Sequence, residues 1–152
     1  MTDAGLDSKF LFRLTGDLGP SQQFGTKILA PFEGGEIVGP AIEGRILPGG
    51  GDWLTTRPKG ISELDVRITI KTNDGALVYM FGAGRRVLDP ALAATLTTFE
   101  DWAALDASSY YLRLLPTFET AEQRYEKLNG IVAVGIGRFT AAGVAFDLYE
   151  IL

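Results

Sequence analysis

Two residue types are missing altogether: the 152-residue chain has no cysteine and no histidine. Without cysteine there are no disulfides and no thiolate nucleophile or metal ligand. Without histidine the commonest general base and the commonest transition-metal ligand are gone, and a serine–histidine triad is excluded. Proton transfer therefore falls to Asp, Glu, Tyr or Lys, or to groups assisted by Arg. A metal would need an all-oxygen site, and no EF-hand spacing is present, so neither metal nor cofactor is expected. Positive charge is also scarce, with 14 Lys and Arg against 19 Asp and Glu, a net of −5. A nucleic-acid surface needs clustered basic residues, so no nucleic-acid partner is expected. No apolar run approaches the roughly 18 residues that span a bilayer, and no basic amphipathic stretch suits a membrane surface. Met1-Thr2-Asp3-Ala4-Gly5 lacks the basic-then-apolar order of a signal peptide. A cytoplasmic protein without a membrane partner is expected. Gly82-Ala83-Gly84-Arg85 lacks the spacing of a dinucleotide fingerprint, and Gly49-Gly50-Gly51 lacks the lysine and helix of a phosphate loop.

What the chain has is glycine, 19 residues of it, falling with the prolines between short apolar runs. Many-stranded β proteins read this way. Strands are expected over 9–14, 26–32, 39–47, 64–72, 76–81, 109–115, 131–139 and 144–151, with a short extended piece over 52–57. Breaks are expected at Thr15 to Pro20, at Glu33-Gly34-Gly35-Glu36, and at Pro48 with the glycine run. Asn73-Asp74-Gly75 is a strong hairpin turn. A type I turn with Gly75 in a left-handed bulge sets Arg67 against Phe81; a two-residue Asp74-Gly75 turn sets it against Gly82. The first sorts the hairpin into an aliphatic and a polar-aromatic face and is preferred. Asp89-Pro90-Ala91 and Phe99 to Leu105 permit short helices. The capping-box pattern Thr120-Ala121-Glu122-Gln123 predicts a helix of about two turns, ended by Asn129-Gly130.

The sum is roughly eight to ten strands joined by hairpins, with one short helix near the C-terminal third. Closing the sheet removes its edges, so the expected fold is mainly β: a single domain, residues 1–152, forming a small closed antiparallel β-barrel of lipocalin-like design. An open sandwich is second. Several pieces point the same way: Pro31-Phe32-Glu33-Gly34, Gly50-Gly51-Asp52-Trp53 with Arg57, Leu64-Asp65-Val66-Arg67, Asn73 to Tyr79, Tyr110 to Arg113, Pro116 to Thr120, and Tyr125 with Leu128-Asn129. In these pieces, which span most of the chain, it resembles the bacterial domain-of-unknown-function 3237 family of small β-barrels. The resemblance implies a polar and aromatic lumen and no established activity.

Gly49-Gly50-Gly51-Asp52-Trp53 and the strand Leu64 to Ile70 form the candidate site. Alternation puts Asp65, Arg67, Thr69 and Lys71 on one face and Leu64, Val66, Ile68 and Ile70 on the other. Ordinary burial preferences send the aliphatics inward and the charges to water. The polar lumen implied by the resemblance reverses this and turns Asp65 and Arg67 inward. The aliphatic face then needs cover from the helix, the 89–105 segment or a second subunit, the last of which would make a homodimer. Asp52 is a proton acceptor or a turn residue, and Trp53 an apolar wall or a loop anchor. Arg113 clamps a carboxylate or enolate with its planar fork, or makes a structural ion pair. Glu119 is a second general base, or favours a helix N-terminus. Tyr79, Tyr111 and Tyr125 donate to an oxyanion or pack as amphiphiles, and Phe118 joins the substrate-binding aromatics. Gly135 and Gly137 share a face and, if inward, make room for a ligand.

These residues suit a cofactor-free lyase or isomerase acting on a hydrophobic small molecule with a carbonyl or carboxylate. Asp52 or Glu119 moves a proton, and Arg67 and Arg113 hold the developing negative charge. On this reading Arg67→Met abolishes turnover with the fold intact. A non-catalytic barrel that carries a hydrophobic acid is the alternative, and an interaction scaffold the third.

Overall fold

A computed structural model describes residues 5–152 and carries nine strands, all paired antiparallel. The reading of the extreme N-terminus as lacking a leader falls mostly on residues 1–4, outside that range. The strands are β1 (Ser8–Leu18), β2 (Gln22–Phe24), β3 (Lys27–Val38), β4 (Gly44–Thr56), β5 (Ile61–Thr72), β6 (Leu77–Leu88), β7 (Tyr110–Glu119), β8 (Ala133–Thr140) and β9 (Gly143–Ile151). Their order is β1-β9-β8-β7-β6-β5-β4-β3-β2, and β1 also pairs with β3. That pairing closes eight strands into a barrel and leaves β2 as an extra strand on the outer half of β3. The fold expected from the sequence is the fold observed. Among the described residues no helix is long and apolar enough to cross a membrane.

The Asn73-Asp74-Gly75 hairpin takes the preferred register. Arg67 faces Phe81 and Thr69 faces Tyr79, with Gly75 at φ 90°. Two expected breaks are instead bulges inside long strands. Glu33-Gly34-Gly35-Glu36 lies within β3, and Pro48 with the glycine run lies within β4. The β3–β4 register jumps from Pro31↔Gly51 to Glu36↔Arg45, so both strands bend at the same level. A bulge inserts extra residues and strengthens the local twist, as closure of a small barrel requires. Gly49 has φ 110°, and a side chain on Gly50 would meet the Arg67 carbonyl oxygen at 2.3 Å. The glycines thus let β4 lie against the backbone of β5. The expected strand ends at Leu14 and Phe81 are also passed, because β1 and β6 continue to Leu18 and Leu88, whereas residues 39–43 of the expected 39–47 strand form the turn between β3 and β4.

Inside, Phe12, Leu14, Ile37, Ile46, Ile68, Ile70, Val78, Met80, Leu114 and Leu148 are almost wholly buried. Leu64, Val66, Ile68 and Ile70 therefore face the lumen, and the inward orientation expected for Asp65 and Arg67 is corrected. The interior of an eight-stranded barrel is narrow, so side chains fill most of it and leave room for one small ligand at most. Four charged and polar residues in a row would be desolvated without partners. With the aliphatic face of β5 inside, the reason for expecting a dimer disappears. Gly135 and Gly137 do face inward, but their space is taken by Leu112, Leu114, Phe146 and Leu148.

One end of the barrel is plugged by the chain between β7 and β8. The expected two-turn α-helix there is a 3-10 helix, Gln123–Gly130. Thr120 is used differently: its hydroxyl donates to the Leu77 carbonyl at 2.8 Å, while the Asn129 amide grips the Thr120 backbone at 2.8 and 3.0 Å. These tertiary contacts override the local capping signal. Tyr125 donates to the Asp74 carboxylate at 3.0 Å, and Arg124 Nε donates to it at 2.6 Å. With Thr72 these donors hold the Asp74 carboxyl well below the usual carboxylate range. A depressed folded pKa adds stability above the unfolded value of about 4, and that stability is lost as pH falls. Asp74→Asn is therefore expected to unfold at lower urea than the parent at pH 7, with the gap narrowing below about pH 4. An equal gap at pH 3 and pH 7 would remove charge from the explanation.

Candidate active site

β4 and β6 each place one charged side chain on the inner face near the open end. On β4 the inward parity is that of Leu54, and Asp52 shares it. On β6 the inward parity runs Val78, Met80, Gly82, Gly84, and Arg86 continues it. By register Asp52 lies level with Val66 and Gly82, whereas Arg86 lies level with Ser62, nearer the rim. Asp52 is partly buried and accepts from the Asp65 backbone N–H at 3.0 Å. Burial pushes its pKa up to about 6, against the pull of that hydrogen bond and the Arg86 charge. Desolvation disfavours the ionised form of a carboxylate. Burial lowers the Arg86 pKa for the same reason, with Asp52 opposing.

Arg86 Nη2 donates to the buried Ser62 hydroxyl at 3.2 Å. Its Nε is buried with no hydrogen-bond partner among the described residues. It forms no ion pair with Asp52. A buried guanidinium N–H left unsatisfied is costly. The guanidinium lies 5.1 Å from the Trp102 ring centroid, a cation–π distance.

Both residues line one cavity of about 310 Å³ whose remaining wall is mostly apolar, including Phe32, Leu112, Phe139 and Phe146. Its cover is the excursion between β6 and β7, where both short helices allowed by the sequence form. Asp89 caps α1 (Pro90–Ala93), accepting from Ala91 N at 3.0 Å. Thr98 and Asp101 form a capping box on α2 (Phe99–Ala103). Trp102 of α2 packs edge-on to Phe139, with centroids 4.8 Å apart. The Tyr110 hydroxyl accepts from the Phe139 N–H at 3.2 Å, where β7 and β8 have parted. The cavity offers a base of raised pKa, an arginine and a shielded apolar interior. Among the described residues no cluster of three acids is placed to hold a metal ion.

Of the candidate catalytic and substrate-binding side chains read from the sequence, Asp52 alone lines this cavity, with Leu64 and Val66 of the candidate strand beside it. Trp53 points the other way, as a strand neighbour must, and stacks outside on Phe24 at 6.4 Å. Asp65 and Arg67 pair on the outer surface at 3.0 Å, with the guanidinium over Phe81. Tyr79, Tyr111 and Glu119 are exposed outside, and Arg113 lies over Tyr111 while donating to the Leu112 carbonyl. Phe118 is buried in the core against Phe12, 5.8 Å between centroids. Tyr125 belongs to the plug at the opposite end. The arginine that does reach the lumen, Arg86, was missed because Gly82-Ala83-Gly84 reads as the end of a strand. Carrying the alternation of Val78 and Met80 through those glycines would have found it.

The family described as "Protein of unknown function (DUF3237)" matches the chain over residues 7–151. The chain is 32% identical over 152 residues to a UPF0311 protein of Rhodopseudomonas palustris strain TIE-1, covering 97% of each. Among solved structures it is similar to a conserved protein of unknown function from Rhodopseudomonas palustris, with TM-score 0.89, 30% identity and coverage of 99% and 100%. It is also similar to a β-barrel-like protein from Acinetobacter baumannii, with TM-score 0.82, 28% identity and 99% of each chain covered.

Proposed function

The chain belongs to the DUF3237 family, and from that barrel and its lumen we propose a cofactor-free lyase or isomerase that moves a proton on a hydrophobic carbonyl compound. The observation that carries the reading is the presence, in one mostly apolar cavity, of Asp52 with its pKa near 6 and of the Arg86 guanidinium. A general base works best when its pKa lies near the working pH. Asp52 takes a proton from the carbon next to the carbonyl and becomes a neutral acid. The electron pair moves to the carbonyl oxygen, and the enolate accepts from Arg86. Return of the proton at another carbon gives isomerisation, and loss of a β-substituent gives elimination. Of the two bases expected from the sequence Asp52 remains, and Arg86 takes the place of Arg67 and Arg113 as anion holder, because Glu119, Arg67 and Arg113 lie outside.

The mostly apolar lining also suits a non-catalytic carrier. Thermal stabilisation by a panel of cyclic ketones, enones, lactones and aromatic acids tests the site. A ligand at about 100 times its dissociation constant adds roughly 2.7 kcal/mol. That stabilisation is expected to vanish in Arg86→Met and to persist in Arg67→Met. Persistence in both, or loss in both, would remove Arg86 from the site. Mass spectrometry of a bound ketone after incubation in D2O separates the two readings, since an enzyme exchanges the α-hydrogen and a carrier does not.

A further inference from the structure

Asp52 on β4 and Arg86 on β6 are the only ionisable side chains that line the cavity among the described residues. One negative and one positive charge leave it balanced. Asp65 on β5 points outward, but its negative charge still bears on Asp52. An anionic ligand paired with Arg86 would leave the Asp52 carboxylate without a counter-charge in an apolar enclosure, where an uncompensated charge is strongly disfavoured. An uncharged ligand keeps the balance. Proton abstraction then moves the negative charge from Asp52 to an oxygen beside Arg86, and the sum stays at zero throughout. The volume, about 310 Å³, lies at the small end of the roughly 300–1,000 Å³ typical of ligand sites.

We infer that the substrate of this cavity is an uncharged carbonyl compound of one or two rings, whose negative charge arises only during the reaction. A preformed anion can enter only together with a proton on Asp52. The inference rests on the proton-transfer reading of the site.

The test compares two bicyclic probes by isothermal titration calorimetry from pH 5 to pH 8. One is 2-tetralone, uncharged and enolisable; the other is naphthalene-2-sulfonate, anionic throughout. Tetralone is expected to bind with little pH dependence. The sulfonate is expected either not to bind or to weaken about tenfold per pH unit above the Asp52 pKa, with uptake of one proton. In Asp52→Asn that pH dependence should disappear. Sulfonate binding that is as tight at pH 8 as at pH 5 overturns the inference. So does failure of tetralone to bind while the sulfonate does, which leaves a carrier of acids. If neither probe binds, the proton-transfer reading fails with it.

Discussion

Asp52→Asn is expected to stabilise the barrel at pH 8 by up to about 3 kcal/mol and to lower turnover of an enolisable ketone by about 10²–10⁴-fold. The two effects have one cause. The folded pKa of Asp52 is raised by burial to about 6 from an ordinary value of 3.8. Between those values the folded state holds more protons than the unfolded state, so stability falls as pH rises through the window and stays low above it. A tenfold change in proton affinity between the two states is worth about 1.4 kcal/mol. Asparagine keeps the oxygen that accepts from the Asp65 N–H and removes the charge, but it cannot take a proton. Urea unfolding of parent and variant at pH 4, 6 and 8 checks the stability half, with the curves converging near pH 4. Parallel stabilities at all three values would mean that water reaches Asp52 freely, and the base would then lack its raised pKa.

Phe12→Ala is expected to cost about 3–5 kcal/mol, a large share of the roughly 5–15 kcal/mol that holds a domain folded. Phe12 is fully buried, 0% exposed, and meets Phe118 edge-on. The Gly39 backbone presses on it: a side chain there would meet Phe12 Cα at 2.4 Å. Walls this constrained collapse poorly around a void, so loss of the ring is felt almost in full. Phe12 does not line the Asp52 cavity, so the rise of activity with pH should keep its midpoint near 6. The urea midpoint should fall with the slope unchanged. A loss below about 1 kcal/mol would mean that the plugged end repacks around the vacancy.

The sequence alone determined what depends on neighbours along the chain. Asn73-Asp74-Gly75 specified a hairpin, because turn chemistry is local, and the sorting of its faces chose the observed one of two registers. Asp89-Pro90 marked a helix start. The strands that close the barrel were legible as short alternating runs, with β4 split in two at its glycines, whereas the three-residue β2 was too short to carry a pattern. The absence of histidine and cysteine restricted the acid–base groups before any geometry was known. Tertiary structure decided which face is the inside. Alternation on β5 defines two faces but is symmetric between them. Closure into a narrow eight-stranded ring broke that symmetry, admitting Leu64 to Ile70 and expelling Asp65 and Arg67. Closure also decided whether glycines end a strand or bend it, since a partner strand that continues the ladder turns an apparent break into a bulge. Continuation of β6 through Gly82 and Gly84 carried Arg86 into the lumen. Asp52 and Arg86, 34 positions apart in the sequence, share a cavity only because β5 pairs with both of their strands.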